Sequence, residues 1–440
     1  MRLRGTMRID AAGHLEIGGV STLALARDFG TPLYVLDEVH FRDNCRIYRK
    51  AFGPENRVVY AGKALLCTAI CRIIEQEGLY LDVVSGGELF TALSARFPPQ
   101  RIYFHGNNKS EAEIRLGIDA GVGRFVVDSL FELDLLNRLA GEAGIRQEVL
   151  LRITPGIEAH THDYIRTGQI DSKFGLPIAT GQALAGIRQA LALPHLRLVG
   201  IHCHIGSQIF DLEPFREAAR VMLRFAAEVQ TATGWLLEEL DLGGGLGIYY
   251  VSGDDPPAIE DYASAVLDAV EDACRKLGIA LPRIAVEPGR SIAGPAGSTL
   301  YTVGVVKEIP GVRHYVTVDG GMGDNPRPAL YQARYEGALA NRMLEEPLKA
   351  VTIAGKCCES GDILIHTAYL PYPKPGDILV VPATGAYNYA MSMNYNRLPR
   401  PAMVLVGGGK AEVIVTRENF EDLLRNDRVP EFLWKSSPLT

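Results

Sequence analysis

Short apolar runs alternate with stretches of helical periodicity between residues 58 and 289. Runs that are rich in β-branched residues and separated by amphipathic segments are typical of βα units around a parallel sheet. Eight such units predict a (β/α)8 TIM barrel, a fold that takes about 250 residues. The predicted strands are Val58–Ala64, Tyr80–Ser85, Ile102–Gly106, Arg124–Ser129, Glu148–Thr154, Leu198–Ile205, Glu239–Gly243 and Arg283–Glu287.

After residue 290 the pattern changes to strands and turns without long helices. Glycine and proline punctuate these runs, which is typical of a β-sandwich or a small β-barrel. The predicted strands here are Leu300–Val306, His314–Asp319, Ala350–Ala354, Asp377–Val381, Ala402–Val406 and Ala411–Thr416.

The first 37 residues contain short strands at Leu15–Ile17 and Leu33–Leu36, followed by a helix at Glu38–Phe52. We expect these strands to join the second, all-β domain, so that the fold class is α/β plus all-β. The predicted division is 38–289 for the barrel and 1–37 with 290–440 for the β-domain.

The composition limits the possible partners. The 45 Lys+Arg against 52 Asp+Glu give a net charge of −7, and without an extended basic run nucleic-acid binding has no electrostatic source. No stretch reaches about 18 uncharged apolar residues, and the N-terminus lacks the apolar segment of a signal peptide. We therefore expect a cytoplasmic protein without a membrane partner. The seven cysteines form no CxxC pair, so neither a disulfide framework nor a zinc site is indicated.

Polar residues and glycines stand where the predicted barrel strands end. Barrel active sites are built at the carboxyl ends of the strands, so this rim is the predicted site. The residues in question are Lys63, Ser85, His105, Arg152, His204, Gly243, Gly244, Gly245 and Glu287.

Lys63 closes an apolar strand, and burial there lowers the pKa of an amine and makes it a nucleophile toward aldehydes. The alternative is a rim lysine whose stem packs while its ammonium group reaches water. The three glycines at 243–245 form a bare backbone loop that suits an anion such as phosphate. A tight turn is the alternative, and a dinucleotide site is disfavoured because GGGLG lacks the GxGxxG spacing.

His202 and His204 fall on one face of a strand by alternation. No carboxylate or third ligand stands near them in the sequence, so no metal site is predicted. An imidazole that stacks on a flat ligand, with Ser207 bound to a phosphate, requires fewer ligating residues than a metal site does.

Glu287 ends the eighth strand before a rigid Pro-Gly turn, where its carboxylate could accept a hydrogen bond from a protonated ring nitrogen. An ion pair with Arg290 or Arg152 is the alternative. Cys358 stands beside acidic residues that raise a thiol pKa, which suits a proton donor. The alternative is a small buried apolar side chain.

Seven motifs together resemble the fold-type III, alanine-racemase-like decarboxylases that use pyridoxal 5′-phosphate (PLP), and within them the diaminopimelate decarboxylases. The resemblance covers nearly the whole chain, in the order that the family shows. The motifs are YAGKAL, GIHCHIGSQI, DLGGGLGI, EPGRSIAG, NPRPALY, CESGD and GAYNYAMSMNYN.

The resemblance implies roles for the matching residues. Lys63 would carry PLP covalently, Glu287 would pair with the ring nitrogen and His204 would stack on the ring. Cys358 would donate the proton that replaces carbon dioxide, with Cys357 as a second candidate. The cofactor-binding set would also include Asp82, Arg152, Ser207, Gly243, Gly244, Gly245, Gly289, Arg290 and Tyr387.

The implied activity is decarboxylation of meso-2,6-diaminopimelate to L-lysine and carbon dioxide, the last step of lysine biosynthesis. The resemblance further implies a homodimer in which Cys358 and Glu359 reach the cofactor of the partner subunit. The residues implied in substrate binding are Arg290, Arg327, Tyr331, Glu359 and Tyr387.

Three alternatives stay open at this point. A decarboxylase of lysine, ornithine or arginine would leave Arg327 without a distal carboxylate to bind. A racemase would need a second base where the chain has a cysteine motif. A catalytically silent homologue would be expected to lose Lys63 or Cys358, and both are present.

Overall fold

The computed structural model of the protein describes residues 1–157 and 172–434. Its first 52 residues form a small antiparallel sheet, one further strand and two helices. Asp37 caps the second helix by accepting a hydrogen bond from the backbone of His40 at 3.1 Å. These elements are β1 Arg8–Ile9, β2 Leu15–Ile17, β3 Val20–Ser21, α1 Thr22–Phe29, β4 Leu33–Asp37 and α2 Glu38–Phe52.

The next elements form a closed barrel of eight parallel strands, as predicted. The ring runs β9-β11-β12-β13-β5-β6-β7-β8 and closes through the pairing of β8 with β9, while β10 extends β9 outside the ring. The strands are β5 Arg57–Ala61, β6 Tyr80–Val83, β7 Ile102–Phe104, β8 Arg124–Val127, β9 Gln147–Thr154, β10 Leu176–Pro177, β11 Leu196–His202, β12 Glu239–Asp241 and β13 Arg283–Val286.

Helices surround this ring, and several begin at a serine whose hydroxyl accepts a hydrogen bond from the first turn. Ser85, Ser110 and Ser129 cap α4, α5 and α6 in this way, which satisfies an otherwise unpaired backbone N–H group. The helices are α3 Thr68–Gln76, α4 Gly86–Ser94, α5 Glu111–Ala120, α6 Leu130–Glu142, α7 Gln182–Ala192, α8 Glu213–Thr233, α9 Ile259–Leu277 and α10 Arg290–Ala296.

A polar cluster lies in the barrel interior at the amino ends of the strands. Arg57 donates hydrogen bonds to Tyr103 and Glu239 at 2.7 Å each, which fills that end with a buried polar cluster. An apolar layer lies in the interior and comprises Val59, Tyr103, Val126, Leu150, Val199 and Ala285.

The β-domain is a sheet with the order β18-β17-β15-β14-β4-β20-β21, and β19 pairs with both β14 and β16. Strand β4 from the N-terminal segment lies between β14 and β20. The strands are β14 Gly297–Ile309, β15 Arg313–Val318, β16 Ala338–Leu339, β17 Lys349–Ala354, β18 Ile363–Leu370, β19 Ile378–Pro382, β20 Ala402–Gly407 and β21 Lys410–Val415, with short helices α11 Arg327–Tyr331, α12 Phe420–Leu424 and α13 Glu431–Trp434.

Among the described residues, no helix combines the length and the apolar character that crossing a bilayer requires.

Candidate active site

A cavity of about 610 Å³ opens at the carboxyl ends of the barrel strands, where the barrel meets the β-domain. It brings most of the predicted site residues together. The barrel side supplies Lys63, Val84, His105, Gly106, Asn107, Arg152, Phe174, His202, His204, Ser207, Gln208, Tyr250, Val251, Asp254, Glu287 and Arg290, and the β-domain supplies Arg327, Tyr331, Gln332, Ala333, Arg334, Tyr387 and Met391.

Lys63 lies in a single helical turn, Gly62–Ala64, that directly follows β5. The predicted strand through Ala64 is therefore wrong in its last three residues, and the turn points the amine into the cavity. Burial lowers the pKa of Lys63, but the carboxylate of Asp82 and the phenol of Tyr387 raise it, and the net shift is upward. The expected lowering of this pKa by burial is thus wrong, because a buried carboxylate stabilises the ammonium form.

Glu287 lies just past β13 and is flanked by two imidazoles. Its Oε2 is 3.2 Å from His202 Nε2, and its Oε1 is 2.6 Å from His105 Nε2 but off the line of a hydrogen bond. Burial raises the pKa of Glu287, but these two histidines outweigh burial and hold the pKa well below its usual range. The carboxylate is therefore ionised, and Oε1 can still accept a hydrogen bond from a further donor.

The cluster of His105, His202 and Glu287 was not predicted from the sequence. The absence of a third ligand was part of the argument against a metal, yet the structure places donor atoms of His105, His202 and Glu287 within 4.8 Å of one another. They come from three different strand ends, so neighbourhood in the sequence could not show them. These side chains come together because the closed barrel brings the carboxyl ends of all its strands to one rim.

A smaller recess beside Lys63 has the features of an anion cradle. A Cβ atom at Gly244 would lie 2.2 Å from the carbonyl oxygen of Glu287, and one at Gly245 would lie 2.7 Å from that of Gly206, so only glycine fits. Arg290 adds a guanidinium group, whose Nη2 donates to Ser207 Oγ at 2.8 Å. The recess is lined by Ala61, Lys63, His204, Ser207, Gly244, Gly245, Leu246, Glu287, Gly289, Arg290, Ser291 and Tyr387.

Gly243 departs from the prediction, because it does not line this recess. Its N–H group donates to Asp241 Oδ1 at 2.8 Å, and its φ of +66° favours glycine. Its place in the fold is therefore the turn itself, which was the alternative in the sequence.

His204 lies two residues beyond the end of β11, so strand alternation does not set its direction, yet it does line the cavity beside His202. It accepts a hydrogen bond from the backbone of Gly244 at 3.3 Å through Nδ1. Burial and the nearby Lys63 lower its pKa well below the usual value. The ring is thus neutral and suited to stacking on a flat ligand.

Arg152 and Asp82 lie deeper in the barrel mouth. The guanidinium of Arg152 is 4.3 Å from the centre of the Phe174 ring, and its Nε is 3.8 Å from Asp128 Oδ2. Asp82 is 1% exposed, and neither of its carboxylate oxygens has a hydrogen-bond partner among the described residues. Both groups act electrostatically on Lys63, and Arg152 also lines the cavity.

Two buried guanidinium groups meet at the β-domain side of the cavity. Arg290 Nη1 donates to the Tyr250 hydroxyl at 2.8 Å, and Arg327 lies 4.9 Å from the centre of the same ring. Arg327 also donates to Tyr335 at 2.6 Å. Tyr250 and Tyr335 were not predicted, although the Tyr249-Tyr250 pair after the glycine loop was visible in the sequence. The pair of cations suits a carboxylate.

Cys358 and Glu359 are exposed, and neither lines the cavity of its own chain. The backbone N–H of Cys358 donates to Asn396 Oδ1 at 2.6 Å. The neighbouring Cys357 is buried, and burial together with Asp362 raises the pKa of its thiol to about 11. The two implied residues from this motif are thus outside the site that the other residues form.

The residues present fit PLP. Lys63 offers an amine for the aldehyde, Glu287 Oε1 offers an unused acceptor for a ring nitrogen, and the cradle at Gly244, Gly245 and Arg290 offers room and charge for a phosphate. All three open onto one space.

Comparison with known proteins agrees with this geometry. Residues 38–294 match the family described as "Pyridoxal-dependent decarboxylase, pyridoxal binding domain". The diaminopimelate decarboxylase of Bacillus subtilis (strain 168) is 52% identical over 97% of this chain and 98% of its own length. That of Halalkalibacterium halodurans is 50% identical over 97% and 98%.

The chain belongs to the diaminopimelate decarboxylase family. A solved diaminopimelate decarboxylase from M. jannaschii, in complex with L-lysine, superposes with a TM-score of 0.92 at 38% identity, covering 98% of this chain and 99% of that one. As a member of this family, the protein is a PLP-dependent carboxy-lyase.

Proposed function

We propose that the protein removes one carboxyl group of meso-2,6-diaminopimelate as carbon dioxide and releases L-lysine, the last step of lysine biosynthesis. The observation that carries this proposal is the pair of buried guanidinium groups, Arg290 and Arg327, in the same cavity as Lys63. A substrate with an amino acid group at each end needs recognition at the far carboxylate, and these cations provide it.

PLP, when bound, supplies the conjugated system that absorbs the electron pair of the broken bond. Glu287 Oε1 holds a proton at the ring nitrogen, since its carboxylate is ionised and buried. His204 would present its neutral imidazole to the cofactor ring, and Ser207, Gly244, Gly245 and Arg290 would hold the phosphate. Lys63 would hold the cofactor through its amine, and the same amine is placed to exchange protons inside the cavity.

Arg327 sets the choice between substrates. Lysine, ornithine and arginine lack a distal carboxylate, so each would place its own cationic chain end against a buried arginine. A site built to bind an anionic group discriminates strongly against an analogue without it. Tyr331 and Tyr387 line the same part of the cavity. A decarboxylase of a simple basic amino acid is therefore the weaker candidate.

We also propose that two chains share each active site. Cys358 as proton donor and Glu359 as partner of the distal ammonium are needed at the cavity, and both are exposed and lie outside the cavity of their own chain. A two-fold dimer places the same surface of each subunit against the other, which supplies both residues in trans.

The chain division that we propose keeps 38–289 as the cofactor domain and joins 1–37 to 290–440, with support from β4 between β14 and β20. A cytoplasmic location fits the seven free thiols, because disulfides are rare where thiols are kept reduced.

The function is tested by supplying PLP and measuring carbon dioxide and amino acid products from meso-diaminopimelate, L-lysine, L-ornithine and L-arginine at equal concentrations. We expect lysine to form from diaminopimelate and little release of carbon dioxide from the other three. Faster decarboxylation of any of the three would overturn the proposed substrate.

Changing Arg327 to alanine is expected to raise KM for diaminopimelate about tenfold or more, because one charge-assisted hydrogen bond to the distal carboxylate is lost. The effect on kcat should be smaller. Steady-state kinetics measures both, with Arg313→Ala at an exposed position of the β-domain as the matched control. An unchanged KM would remove Arg327 from substrate recognition.

Changing Glu287 to glutamine keeps the shape of the side chain but removes its charge. Turnover is expected to fall about a hundredfold, because a ring nitrogen without its proton is a weaker electron sink. PLP should still bind, since Lys63 and the phosphate cradle are intact. Cofactor titration by protein fluorescence separates loss of binding from loss of turnover.

A further inference from the structure

The carboxylate of Glu287 lies between two buried histidines that have no assigned role. His202 Nε2 is 3.2 Å from Oε2, and His105 Nε2 is 2.6 Å from Oε1. The two imidazoles meet edge to face, with centres 4.9 Å apart. All three side chains are at most 5% exposed, so water does not compete for these contacts.

The His202 contact has a definite direction. Burial lowers the pKa of His202 to about 4, so its imidazole is neutral near pH 7. A neutral imidazole can bond to a carboxylate only by donating its N–H, here from Nε2. Its Nδ1 has no hydrogen-bond partner among the described residues, as expected for a nitrogen that carries only a lone pair. Oε2 is thereby occupied, while Oε1 lies beside His105 Nε2 without an aligned hydrogen bond and keeps acceptor capacity for a further partner.

Other buried charges near Glu287 make the stabilisation of its ionised form by the histidines necessary. Two other buried carboxyl groups, Asp82 and Asp241, lie close enough to act on Glu287, as do the cations Lys63 and Arg152. Buried carboxylates that share one site tend to take up a proton. A protonated Glu287 could no longer hold a proton at a ring nitrogen.

We propose that His202 and His105 are positioning residues that act through Glu287. They hold its carboxylate in one orientation, with Oε1 turned to the cofactor's ring nitrogen, and His202 does so by donating a hydrogen bond to Oε2. This inference rests on the proposed role of Glu287 toward that nitrogen.

A pair of cofactors tests the inference without using turnover. PLP and its deaza analogue, in which a C–H group replaces the ring nitrogen, make the same contacts through aldehyde and phosphate. The ratio of their dissociation constants therefore reports the interaction between Glu287 and the ring nitrogen. Binding is followed by titration of the full-length enzyme, and an unchanged affinity for the deaza analogue shows that a variant has folded.

The variants are His202→Leu, which removes the donor, and His202→Gln, whose amide nitrogen can replace Nε2. His105→Leu is made in parallel. Each of these three substitutions is also combined with Glu287→Gln. The control is His366→Asn, at an exposed position of β18. We expect both leucine variants to lower the preference for PLP, His202→Leu by about tenfold, since a hydrogen bond to a charged group is lost. His202→Gln should restore most of it.

In the Glu287→Gln background the histidine substitutions should have no further effect, because residues that act through a shared partner are not additive. If Glu287→Gln lowers the preference but the leucine variants do not, the inference on the histidines is wrong. Equal effects with and without Glu287 would also overturn it. If Glu287→Gln itself leaves the ratio unchanged, the role of Glu287 fails instead.

Discussion

Replacing Lys63 with alanine is expected to abolish the visible absorption of bound PLP and to reduce turnover at least about a thousandfold. Its amine lines the cavity in the turn after β5, where Asp82 and Tyr387 act on it electrostatically, and is placed to bind the aldehyde of the cofactor. Absorption spectroscopy and lysine formation, both with excess PLP, measure the two effects.

Lys276→Ala is the matched control, because Lys276 is an exposed residue of α9 whose ammonium pairs with Asp272. It should keep both the spectrum and the rate. Retention of the visible band by the Lys63 variant would show that another amine carries the cofactor.

Replacing Cys358 with alanine has the second largest expected effect. Loss of a general acid typically costs about a hundredfold to ten-thousandfold in rate, whereas PLP binding should be kept because Cys358 does not line the cavity of its own chain. Cys357→Ala should change turnover little, since that thiol is buried within its own domain whereas Cys358 is exposed. The reverse pattern would make Cys357 the donor.

The same two variants test whether the active site is shared. Equal amounts of the Lys63→Ala and Cys358→Ala proteins, mixed under conditions that let subunits exchange, form hybrid dimers among the parental ones. If Cys358 acts on the partner's cofactor, each hybrid contains one intact site and the mixture recovers about a quarter of wild-type activity. No recovery after verified exchange would place donor and lysine in one chain.

The barrel was predictable because eight apolar runs each form a strand in the structure, and a strand that is buried on both faces leaves a clear mark in the sequence. Strand ends were less certain. Nothing in VVYAGKA shows that the strand stops at Ala61, since the three following residues make one helical turn that is fixed by tertiary contacts. Strand β18, Ile363–Leu370, was missed because His366 and Thr367 interrupt its apolar pattern.

Several residues that line the cavity could be predicted from the sequence, but the contacts between their side chains could not. Lys63, His204 and Glu287 line one cavity as the strand-end rule suggested, together with Arg290, which the family resemblance implied. The upward shift in the pKa of Lys63 and the histidine contacts of Glu287 depend on distances between side chains that no spacing in the chain encodes. The position of Cys358 outside its own cavity is likewise a property of the assembled domains.

The position of strand β4 in the sheet has a consequence for the synthesis of the protein on the ribosome. Its residues are buried throughout, and Leu33 pairs with Leu300 on one side and Ala402 on the other. At about 5–20 residues per second, this apolar segment emerges on the order of ten seconds or more before either neighbour exists. The nascent chain therefore carries an unpaired, aggregation-prone strand while the whole barrel is being made. Protection by a chaperone in that interval would be expected to raise the yield of active enzyme.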